Sequence, residues 1–578
     1  MPAESDQFGA LSPLLAKLLF HRGIRDATAA ALFLTPDYDR DNLNPLLLKD
    51  ASRAAKRILA AIRAEEKIAI YADYDADGIP GAAMFHDFFN RIGYSHFVVY
   101  IPHRHDEGFG LNKEAVDSLA AAGVKLIVTL DCGVSDVVAV DHANSLGLEV
   151  IITDHHEPPA LPPRALAIVD PKQADCPYPD KNLCGTGVAF KIIQAMIVCA
   201  KDAGEPLPLK TGHEKWLLDL VGMATLSDMV PLVGENRLFG HYGLKVLRKS
   251  PRPGLRELFN RLRLDQAHLS EDDLAFMITP RINAASRMGV PRDAFDLLVA
   301  NEAVLARTRA EHLDRVNNER KGVVAALVKE IKHTLRTRHG DNLPPVLVLG
   351  NPAWRPSLLG LAANACAEEF DRPAFFWGRD GDNVIKGSCR SEGRTHVVEL
   401  MRRAPAGTFA QFGGHKHSGG FSVDNEAIHY LEQRLNTAAL ATAQMDAASS
   451  SGEPFTEVEA VIDAALELAD VTPALYDEVS RLAPFGVGNP KPIFLFRNIS
   501  IAEFKIFGKG REHIELVFAR PPLSRLSAIA FFGAENDWAK SVTVGGKIDL
   551  VASLEKSFFR GRGELRLRVV DVLNSAHV

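Results

Sequence analysis

Apolar residues in the first part of the chain alternate between strand-like runs and stretches with helical periodicity. Four runs of aliphatic and aromatic residues read as strands: KIAIYA, HFVVYIP, KLIVTL and LEVIIT. Between them lie three stretches with helical spacing of apolar positions, GAAMFHDFFNRIG, NKEAVDSLAAAG and SDVVAVDHANSLG. Alternation at this spacing predicts an α/β fold with a mostly parallel, doubly wound sheet.

The pattern changes further along the chain. Residues 184–250 are largely helical, and residues 301–338 form one long helical pattern with a single glycine and no proline. At ~1.5 Å per residue this helix could span over ~50 Å, which predicts a connection between two domains. PPVLVLG begins a second α/β unit, and short alternating strands near the end of the chain predict a small β-barrel.

These patterns divide the chain into successive segments. A chain of 578 residues is too long for one hydrophobic core, and ~3–5 domains are expected. We predict an N-terminal helical extension (1–50), a catalytic α/β domain (51–300), a connecting long helix (301–340), a second α/β domain (341–445), a polar linker (446–456) and a barrel domain (457–578).

Composition narrows the class of protein. Hydrophobic residues make up 47% and charged residues 24% of the chain, as in ordinary globular proteins. The six cysteines contain no CxxC pair, which favours a reducing cytosol, and no apolar run approaches the ~20 residues of a membrane span. We therefore predict a soluble, cytoplasmic protein. The net charge of -7 does not exclude a nucleic-acid partner. Carboxylates that bind metal ions contribute negative charge to this sum, but bound cations neutralise that charge in the metal-loaded protein.

Acidic and imidazole side chains stand where three of the predicted strands end. The carboxyl ends of parallel strands meet at one edge of a sheet, where ligands bind. A single Asp after a strand is usually a turn former or a helix cap, but three strand ends in succession indicate a shared site. The candidates are Asp73, Asp75 and Asp77 after KIAIYA, Asp131 after KLIVTL, Asp154, His155 and His156 after LEVIIT, and Asp228 beyond a later helical run.

The chemistry of this residue set predicts a metal centre. Carboxylates packed within ~4–6 Å repel one another, and a cation removes that penalty. Oxygen ligands with an imidazole suit Mn²⁺ or Mg²⁺ better than Zn²⁺, and four or five carboxylates are enough for two ions ~3.5–4 Å apart with a shared Asp. The adjacent side chains of His155 and His156 diverge, so we expect one to bind metal and the other to face substrate. Such a centre hydrolyses a phosphate ester or anhydride.

Four motifs, DYDADG, LDCG, DHH and ATLSDMVPL, together resemble those of the DHH phosphoesterase superfamily. The resemblance implies that Asp131 bridges two ions and that His156 lies near the scissile phosphate. Pyrophosphatase members have a ligand His four positions before the first ligand Asp, where this chain has Tyr71, which disfavours a pyrophosphatase. The metal ligands implied by the resemblance are Asp75, Asp77, Asp131, His155 and Asp228, with Asp73 and His156 close by.

Further motifs, PRINAASRMG, KGSCRS, FGGHKHSGGF and PFGVGNPKPIF, are similar to those of the RecJ family within this superfamily, from about residue 50 onward. The resemblance implies a DHH catalytic domain, a DHHA1 substrate-binding domain and a C-terminal OB-fold with Phe507, Phe558, Phe559 and Arg560 among its candidate DNA contacts. The substrate-binding residues it implies are Arg281, Asn283 and Arg287 along the DNA path, and Arg390, Ser391, Gly413, Gly414 and His415 as a phosphate clamp.

The resemblance also implies an activity. We expect a 5′→3′ exonuclease specific for single-stranded DNA that uses two Mn²⁺ or Mg²⁺ ions to release 5′-mononucleotides in recombination and repair. Its expected partners are a single-strand-binding protein and a RecQ-type helicase, and we expect a monomer. Two alternatives remain. A DHH-family phosphodiesterase acting on short oligonucleotides or cyclic dinucleotides would not need the barrel, and a catalytically inactive DNA-binding scaffold should have lost ligand acids.

Overall fold

The first part of the chain forms four helices followed by a five-stranded parallel sheet. The computed structural model describes residues 8–9, 11–340, 342–381, 383–414, 416–449, 462–520, 523–558 and 563–574. The helices are α1 (Pro13–His21), α2 (Ala27–Leu34), α3 (Tyr38–Asp41) and α4 (Ala51–Arg63). The strands are β1 (Lys67–Ala72), β2 (Phe97–Tyr100), β3 (Val124–Leu130), β4 (Glu149–Thr153) and β5 (Ala167–Val169).

The strand order of this sheet creates a crevice at its carboxyl edge. The order is β2-β1-β3-β4-β5 with all pairs parallel, and helices α5 (Gly78–Arg91), α6 (Lys113–Ala121) and α7 (Val137–Ser145) provide crossovers. The connection after β1 leads to β2 on one side, and the next connection leads to β3 on the other side of β1, so the strand order switches between β1 and β3. This switch point is where doubly wound sheets bind ligands. The predicted α/β class is confirmed, and β5 is a strand that the sequence pattern did not indicate.

A helical layer completes the first domain. Large apolar side chains from its helices, including Phe190, Phe239 and Phe259, are buried in one core with Phe85 and Phe89 of α5. A π-helical turn, Leu274–Ile278, leads directly into α13. The helices are α8 (Gly185–Asp202), α9 (Leu218–Ser227), α10 (Gly234–Leu247), α11 (Pro253–Leu262), α12 (Glu271–Asp273), α13 (Thr279–Met288) and α14 (Arg292–Leu298).

A single long helix connects the two α/β domains. Helix α15 (Ala303–His339) has 37 residues, which corresponds to ~55 Å. Its first half buries Leu313 in the core of the first domain, and its second half buries Leu327, Ile331 and Leu335 in the core of the second. The predicted long connecting helix is therefore confirmed. In the described parts of the chain, no helix combines the length and apolar character needed to cross a membrane.

The second α/β domain contains a mixed sheet. Its strand order is β6-β7-β8-β10-β9, in which β6 and β7 are parallel and the remaining pairs are antiparallel. The strands are β6 (Leu347–Gly350), β7 (Ala374–Arg379), β8 (Ile385–Arg390), β9 (Gln411–Gly414) and β10 (Ser418–Val423), and the helices are α16 (Pro356–Phe370), α17 (Val397–Arg403) and α18 (Leu431–Ser449).

The last part of the chain closes into a five-stranded barrel. Strand β12 (Phe494–Phe507) pairs with both β13 (His513–Arg520) and β15 (Lys547–Ser557), and β14 (Leu523–Ala530) and β16 (Glu564–Asn574) lie between them. The short β11 (Ala464–Ala465) and helices α19 (Pro473–Ser480) and α20 (Asp537–Ser541) complete this region. Closure through β12 and β15 removes both sheet edges, and the predicted OB-like barrel is confirmed.

The N-terminal helices pack against this barrel. Leu15, Leu18 and Leu19 of α1 are buried in the same core as Phe494 and Phe496 of β12. In the next turn Arg22 donates from Nε to Asn489 Oδ1 at 2.7 Å. The N-terminal segment thus lies beside residues more than 400 positions away, a contact that no local sequence pattern indicates.

Candidate active site

Three overlapping groups of carboxylate and imidazole side chains lie at the carboxyl ends of β1, β3 and β4. Within each group, one possible ligand atom from every residue lies within 4.8 Å of the others. Asp131 and His155 each belong to two groups, so the groups form one continuous cluster beside the crevice between β1 and β3. The structure brings together all seven residues expected to be catalytic. The groups are Asp73–Asp75–Asp131, Asp77–His155–Asp228 and Asp131–His155–His156.

His155 lies at the centre of this cluster and faces three carboxylates. Its Nε2 atom is 3.1 Å from Asp131 Oδ1, 3.7 Å from Asp228 Oδ2 and 3.9 Å from Asp77 Oδ2. Burial, together with the neighbouring His156, lowers the pKa of His155 to about 3. The ring also hydrogen-bonds the backbone of Leu183. His155 is therefore a neutral imidazole, which is the form that binds metal ions.

The backbone of helix α8 holds the carboxylate of Asp77. Asp77 Oδ2 accepts a hydrogen bond from the Gly185 amide at 2.6 Å, and Oδ1 accepts one from the Thr186 amide at 2.7 Å. These are first-turn amides of α8, which have no partner within the helix. Burial and the nearby Asp75 nevertheless raise the pKa of Asp77 to about 6, because the site concentrates negative charge.

Asp131 adopts an unusual backbone conformation. Its φ angle is +62°, in the left-handed region that non-glycine residues seldom occupy. Its backbone amide donates to the Thr153 carbonyl at 3.0 Å, which extends the pairing of β3 with β4 by one residue. The sheet therefore fixes the backbone that directs this side chain into the cluster.

Asp154 belongs to none of the three possible ligand groups and orients its neighbours. Its Oδ2 atom accepts from the Val134 amide at 2.9 Å, and Oδ1 accepts from the His155 amide at 2.8 Å. Nδ1 of His156 lies 2.7 Å from the same Oδ1. Burial opposes the charged form of His156, but this hydrogen bond prevails and raises the pKa of His156 to about 9. His156 is thus a cation beside the cluster, suited to face a phosphate.

The acids of the cluster fit divalent cations. Burial, followed by repulsion from neighbouring carboxylates, raises the pKa of Asp73, Asp131 and Asp228 well above the ordinary value. Among the described residues, no donor forms a hydrogen bond with the buried atoms Asp73 Oδ1 and Asp131 Oδ1, and the approach of His155 to Asp131 lacks hydrogen-bond geometry. A bound cation would satisfy these buried carboxylate oxygens, which have no hydrogen-bond donor.

Asn283 and Arg287, both expected along the DNA path, have different contacts. Asn283 Oδ1 accepts from the Ala76 amide at 2.9 Å, so Asn283 holds the loop that carries Asp75 and Asp77. Arg287 donates from Nη1 to the Ser357 carbonyl at 3.2 Å, and the Ser357 hydroxyl donates to the Arg287 carbonyl at 2.9 Å. Arg287 thus lies where the two α/β domains meet.

Arg287 belongs to a concentration of positive charge. Burial, followed by repulsion from Arg104, Arg320 and Arg390, lowers the pKa of Arg287 to about 9. Arg104 and Arg287 come from the first domain, Arg320 from the long helix and Arg390 from the second domain. We call these four residues the arginine cluster. Because the four positive charges repel one another, an anion bound between them would relieve this repulsion and be stabilised.

Arg281 differs from the expectation that it contacts DNA. The residue is 5% exposed, and its Nε and Nη2 atoms donate to Asp314 Oδ1 of helix α15 at 3.1 Å and 2.9 Å. Its Nη1 donates to the Met277 carbonyl. We therefore correct the expected role, because the guanidinium donors are occupied inside the protein and tie α13 to α15.

The ion pair between Arg281 and Asp314 predicts a stability effect. Replacing Asp314 with Ala should lower the free energy of unfolding by about 3 kcal/mol, because it leaves the Arg281 charge buried without its partner. Urea denaturation followed by circular dichroism measures this effect. The exposed Glu311 on the same helix is the control, and Glu311→Ala should change stability by less than about 0.5 kcal/mol. Unchanged stability with weakened DNA binding would instead place Arg281 on the DNA path.

The expected phosphate clamp lies in the second domain. Arg390 ends β8 and is half-buried, and its Nη1 atom donates to the Cys389 carbonyl at 2.7 Å. The Ser391 hydroxyl is 3.0 Å from His417 Nδ1. Gly413 and Gly414 are exposed on β9. His415 lies outside the described residues, so its predicted contact is not placed.

Three residues near the cluster were not found from the sequence. Asp170 follows β5, and burial raises its pKa to about 7. The AIVD sequence places an acid after an apolar run as at the other strand ends, but a run of three residues is too short to be recognised as a strand from the sequence. Arg104 and Phe109 lie in the loop between β2 and α6, where no periodic pattern indicates which side chains turn towards the site.

Comparison with known proteins agrees with this geometry. Residues 67–225 match the DHH family N-terminal domain, residues 343–443 the DHHA1 domain and residues 462–571 the RecJ OB domain. A cluster of acids and a neutral histidine at the crevice of a DHH-family sheet defines a metal-dependent phosphoesterase.

The relatives narrow this class to one family. The single-stranded-DNA-specific exonuclease RecJ of Bacillus subtilis is 33% identical over 562 residues, which cover 97% of this chain and 68% of that protein. The Escherichia coli protein of the same name is 32% identical over 502 residues, or 86% and 84% of the two chains. The chain belongs to the RecJ family.

Solved structures of one family member contain metal ions. The crystal structure of Thermus thermophilus RecJ in complex with Mn²⁺ aligns with a TM-score of 0.79 at 26% identity and covers 100% of this chain and 78% of that one. Its complex with Mg²⁺ aligns with a TM-score of 0.72 at 25% identity, covering 99% and 77%. Both ions are hard cations of the kind that the carboxylate cluster fits.

Proposed function

We propose that this chain is a single-stranded-DNA-specific 5′→3′ exonuclease that hydrolyses phosphodiester bonds to release 5′-mononucleotides. The observation that carries the proposal is that the arginine cluster lies beside the acid and histidine cluster at the junction of the two α/β domains. Arg104 interacts electrostatically with Asp73 and Arg287 with Asp75, and Arg287 also contacts Ser357 of the second domain. One cluster suits the cations that phosphodiester hydrolysis needs, and the other suits the phosphates of the strand. The names of the family members support DNA as the substrate.

The residues divide into two proposed ligand sets for Mn²⁺ or Mg²⁺. Asp77, His155 and Asp228 would hold one ion and Asp75 the other, with Asp131 shared between them and Asp73 close by. When bound, such a pair supplies an activated water and neutralises the charge that develops in an in-line displacement at phosphorus.

The protein groups around the ligands position the strand. The His156 cation donates a hydrogen bond to the phosphate that is cleaved, and Asp154 keeps its ring in place. Asn283 holds the acidic loop through the Ala76 amide. Arg287 and Arg390 bind backbone phosphates on the two sides of the domain junction, which keeps the strand in register with the ligand acids.

The barrel is proposed to guide the strand toward this junction. Phe558, at the end of β15, stacks on His268 of the first domain with ring centroids 4.0 Å apart, so this end of the barrel contacts the catalytic domain. Elsewhere the barrel exposes the rings of Phe507 and Phe532. Aromatic rings on a barrel of this type bind unpaired bases by stacking. Phe559 and Arg560, further candidates from the sequence, lie outside the described residues.

The same proposal includes the domain boundaries, the cellular location and the partners of the protein. We propose the domain boundaries that the sequence predicts: extension 1–50, DHH domain 51–300, long helix 301–340, DHHA1 domain 341–445, linker 446–456 and OB-like domain 457–578. Residues 450–456 of the linker lie outside the described residues. We propose a cytoplasmic monomer acting in recombination and repair, with a single-strand-binding protein and a RecQ-type helicase as partners. The helicase would supply the unpaired 5′ strand that the exonuclease consumes.

Digestion of end-labelled DNA tests the proposal directly. With Mn²⁺ or Mg²⁺ we expect 5′-labelled single strands to release labelled mononucleotides from the start, whereas 3′-labelled strands shorten gradually. Blunt duplexes should resist, and a chelator should abolish the activity in every case because the ligand acids then have no cation. Gel electrophoresis and thin-layer chromatography identify the products.

The same experiment separates the alternatives. A phosphodiesterase for short oligonucleotides would degrade dinucleotides and leave long strands intact. An inactive scaffold would bind single strands without releasing nucleotides in any metal. Release from the 3′ end first would contradict the proposed polarity.

A further inference from the structure

The loop between β2 and α6 is fixed at the edge of the active site. The Tyr71 hydroxyl donates to the Gly110 carbonyl at 2.8 Å, and the Leu111 amide donates to Asp136 Oδ2 at 2.6 Å. Gly110 has a φ angle of +82°, and a Cβ atom there would lie 2.5 Å from the Asp136 carboxylate. The loop backbone therefore has one defined course, and it holds Phe109 at a fixed place.

Phe109 is exposed next to the catalytic cluster. The residue is 54% exposed. Its ring makes an edge contact with His156, with centroids 5.6 Å apart and an interplanar angle of 72°. A second edge contact joins it to the buried Tyr74 at 6.5 Å. Both contacts use ring edges and orient the side chain, and they leave much of its surface open to solvent.

The surroundings of Phe109 indicate what the open surface binds. The Arg104 guanidinium lies 4.8 Å from the centroid of the Tyr74 ring, and Arg104 belongs to the arginine cluster. The Phe109 ring thus contacts His156 and Tyr74, and the Tyr74 ring in turn carries Arg104. The imidazole and the guanidinium can both donate hydrogen bonds to a phosphate. A nucleotide combines an anionic phosphate with a flat π surface.

We propose that Phe109 stacks on a nucleobase that flanks the scissile phosphate and so places that phosphate in the cluster. This inference rests on the proposed nuclease function. Stacking accepts all four bases because each has a π face, which suits an enzyme that degrades any sequence. It also requires a base that is free of its complement and its neighbours, so the same contact favours single strands over duplexes.

Matched protein and substrate changes test the stacking contact. Wild type and Phe109→Ala are compared by kcat/KM on an unmodified single strand and on strands with an abasic tetrahydrofuran residue at the first or the second nucleotide. For wild type, one of the two abasic positions should lower kcat/KM by about 10- to 100-fold. On the unmodified strand, kcat/KM of Phe109→Ala should be lower than that of wild type by a similar factor. Placing the abasic residue at that position should lower kcat/KM of Phe109→Ala little further. The sensitive position identifies the stacked base.

Conservative and distant variants separate stacking from a general structural effect. Phe109→Trp should retain activity, whereas Phe109→Leu, which keeps apolar bulk without a π face, should fall towards the alanine variant. Trp216→Ala is the control, since Trp216 is an aromatic residue of similar exposure. Trp216 lies just before the N-terminus of α9, whereas the cluster residue Asp228 follows the C-terminus of that helix. This control should leave kcat/KM unchanged on all three strands.

A binding signal provides a readout independent of cleavage. In the Asp131→Ala background, a strand with 2-aminopurine at the sensitive position should lose fluorescence on binding, and the added Phe109→Ala change should restore it. Full activity of Phe109→Ala, or equal losses on normal and abasic strands, would overturn the stacking contact while leaving the nuclease function intact. Failure of wild type to degrade any single strand would instead reject the nuclease proposal.

Discussion

Replacing Asp131 with Ala is expected to lower the rate of single-strand hydrolysis by about 10⁴-fold, the scale seen when a central catalytic group is removed. Asp131 is the one carboxylate that belongs to two of the three possible ligand groups, so its loss disturbs both proposed ion positions. The change also removes a buried carboxylate from a site where burial and neighbouring acids already raise its pKa. The fold should therefore be retained or slightly stabilised in the absence of metal.

Binding and hydrolysis should separate in this variant. The arginine cluster is untouched, so the affinity for single-stranded DNA, measured by fluorescence anisotropy in the presence of chelator, should stay within about 3-fold of wild type or improve. Asp202→Ala, at the exposed C-terminal end of α8, is the control and should retain full activity. Hydrolysis by Asp131→Ala within 10-fold of wild type would refute the shared-ligand role. A parallel loss of DNA binding would show that the change damages more than the metal site.

Replacing Gly185 with Ala is expected to lower kcat by about 100-fold without loss of the fold, since small displacements of catalytic groups have effects of this size. A Cβ atom at this position would lie 2.5 Å from both Cβ and Oδ1 of Asp131. The Gly185 amide also donates to Asp77 Oδ2, so the same movement disturbs two proposed ligands. Steady-state kinetics at saturating DNA over a titration of Mn²⁺ measures the effect, and a higher Mn²⁺ requirement should accompany the lower rate.

Gly187 offers a matched control two residues further along the same helix. A Cβ atom there would meet its nearest neighbour, Cys184 Sγ, at 3.5 Å, which is ordinary contact. Gly187→Ala should therefore keep kcat and the Mn²⁺ requirement close to wild type. If both variants lost activity equally, the effect would come from alanine in α8 in general, and the close packing of Gly185 against Asp131 would not explain it.

The acids of the site could be predicted from the sequence because a strand and the turn after it are determined by residues that are close together in the chain. A buried parallel strand is a short apolar run, and the residues after it must lie at the carboxyl edge of the sheet. This reasoning places Asp73, Asp131 and His155 together from the sequence alone. The same rule missed Asp170, because β5 has only three residues and a run of that length is not distinguishable from a loop.

The sequence could not predict in the same way which residues of the PRINAASRMG motif have different roles. Arg281 and Arg287 both lie on α13, six positions apart, so they point to different faces of the helix. The sequence does not reveal which face meets α15 and which meets the second domain. Only the tertiary structure pairs Arg281 with Asp314, 33 residues away, and leaves Arg287 beside Arg104 and Arg390.

The sequence by itself determined the order of strands and helices, the acids at the strand ends and the family to which the motifs belong. These properties depend on periodicity and residue type over short stretches, where backbone geometry leaves few choices. The tertiary structure alone decided that α1 packs on the barrel, that the arginine cluster gathers residues from three segments and that Phe109 stands open beside His156. Such contacts join distant parts of the chain, and they depend on how whole surfaces fit together, which no local pattern records.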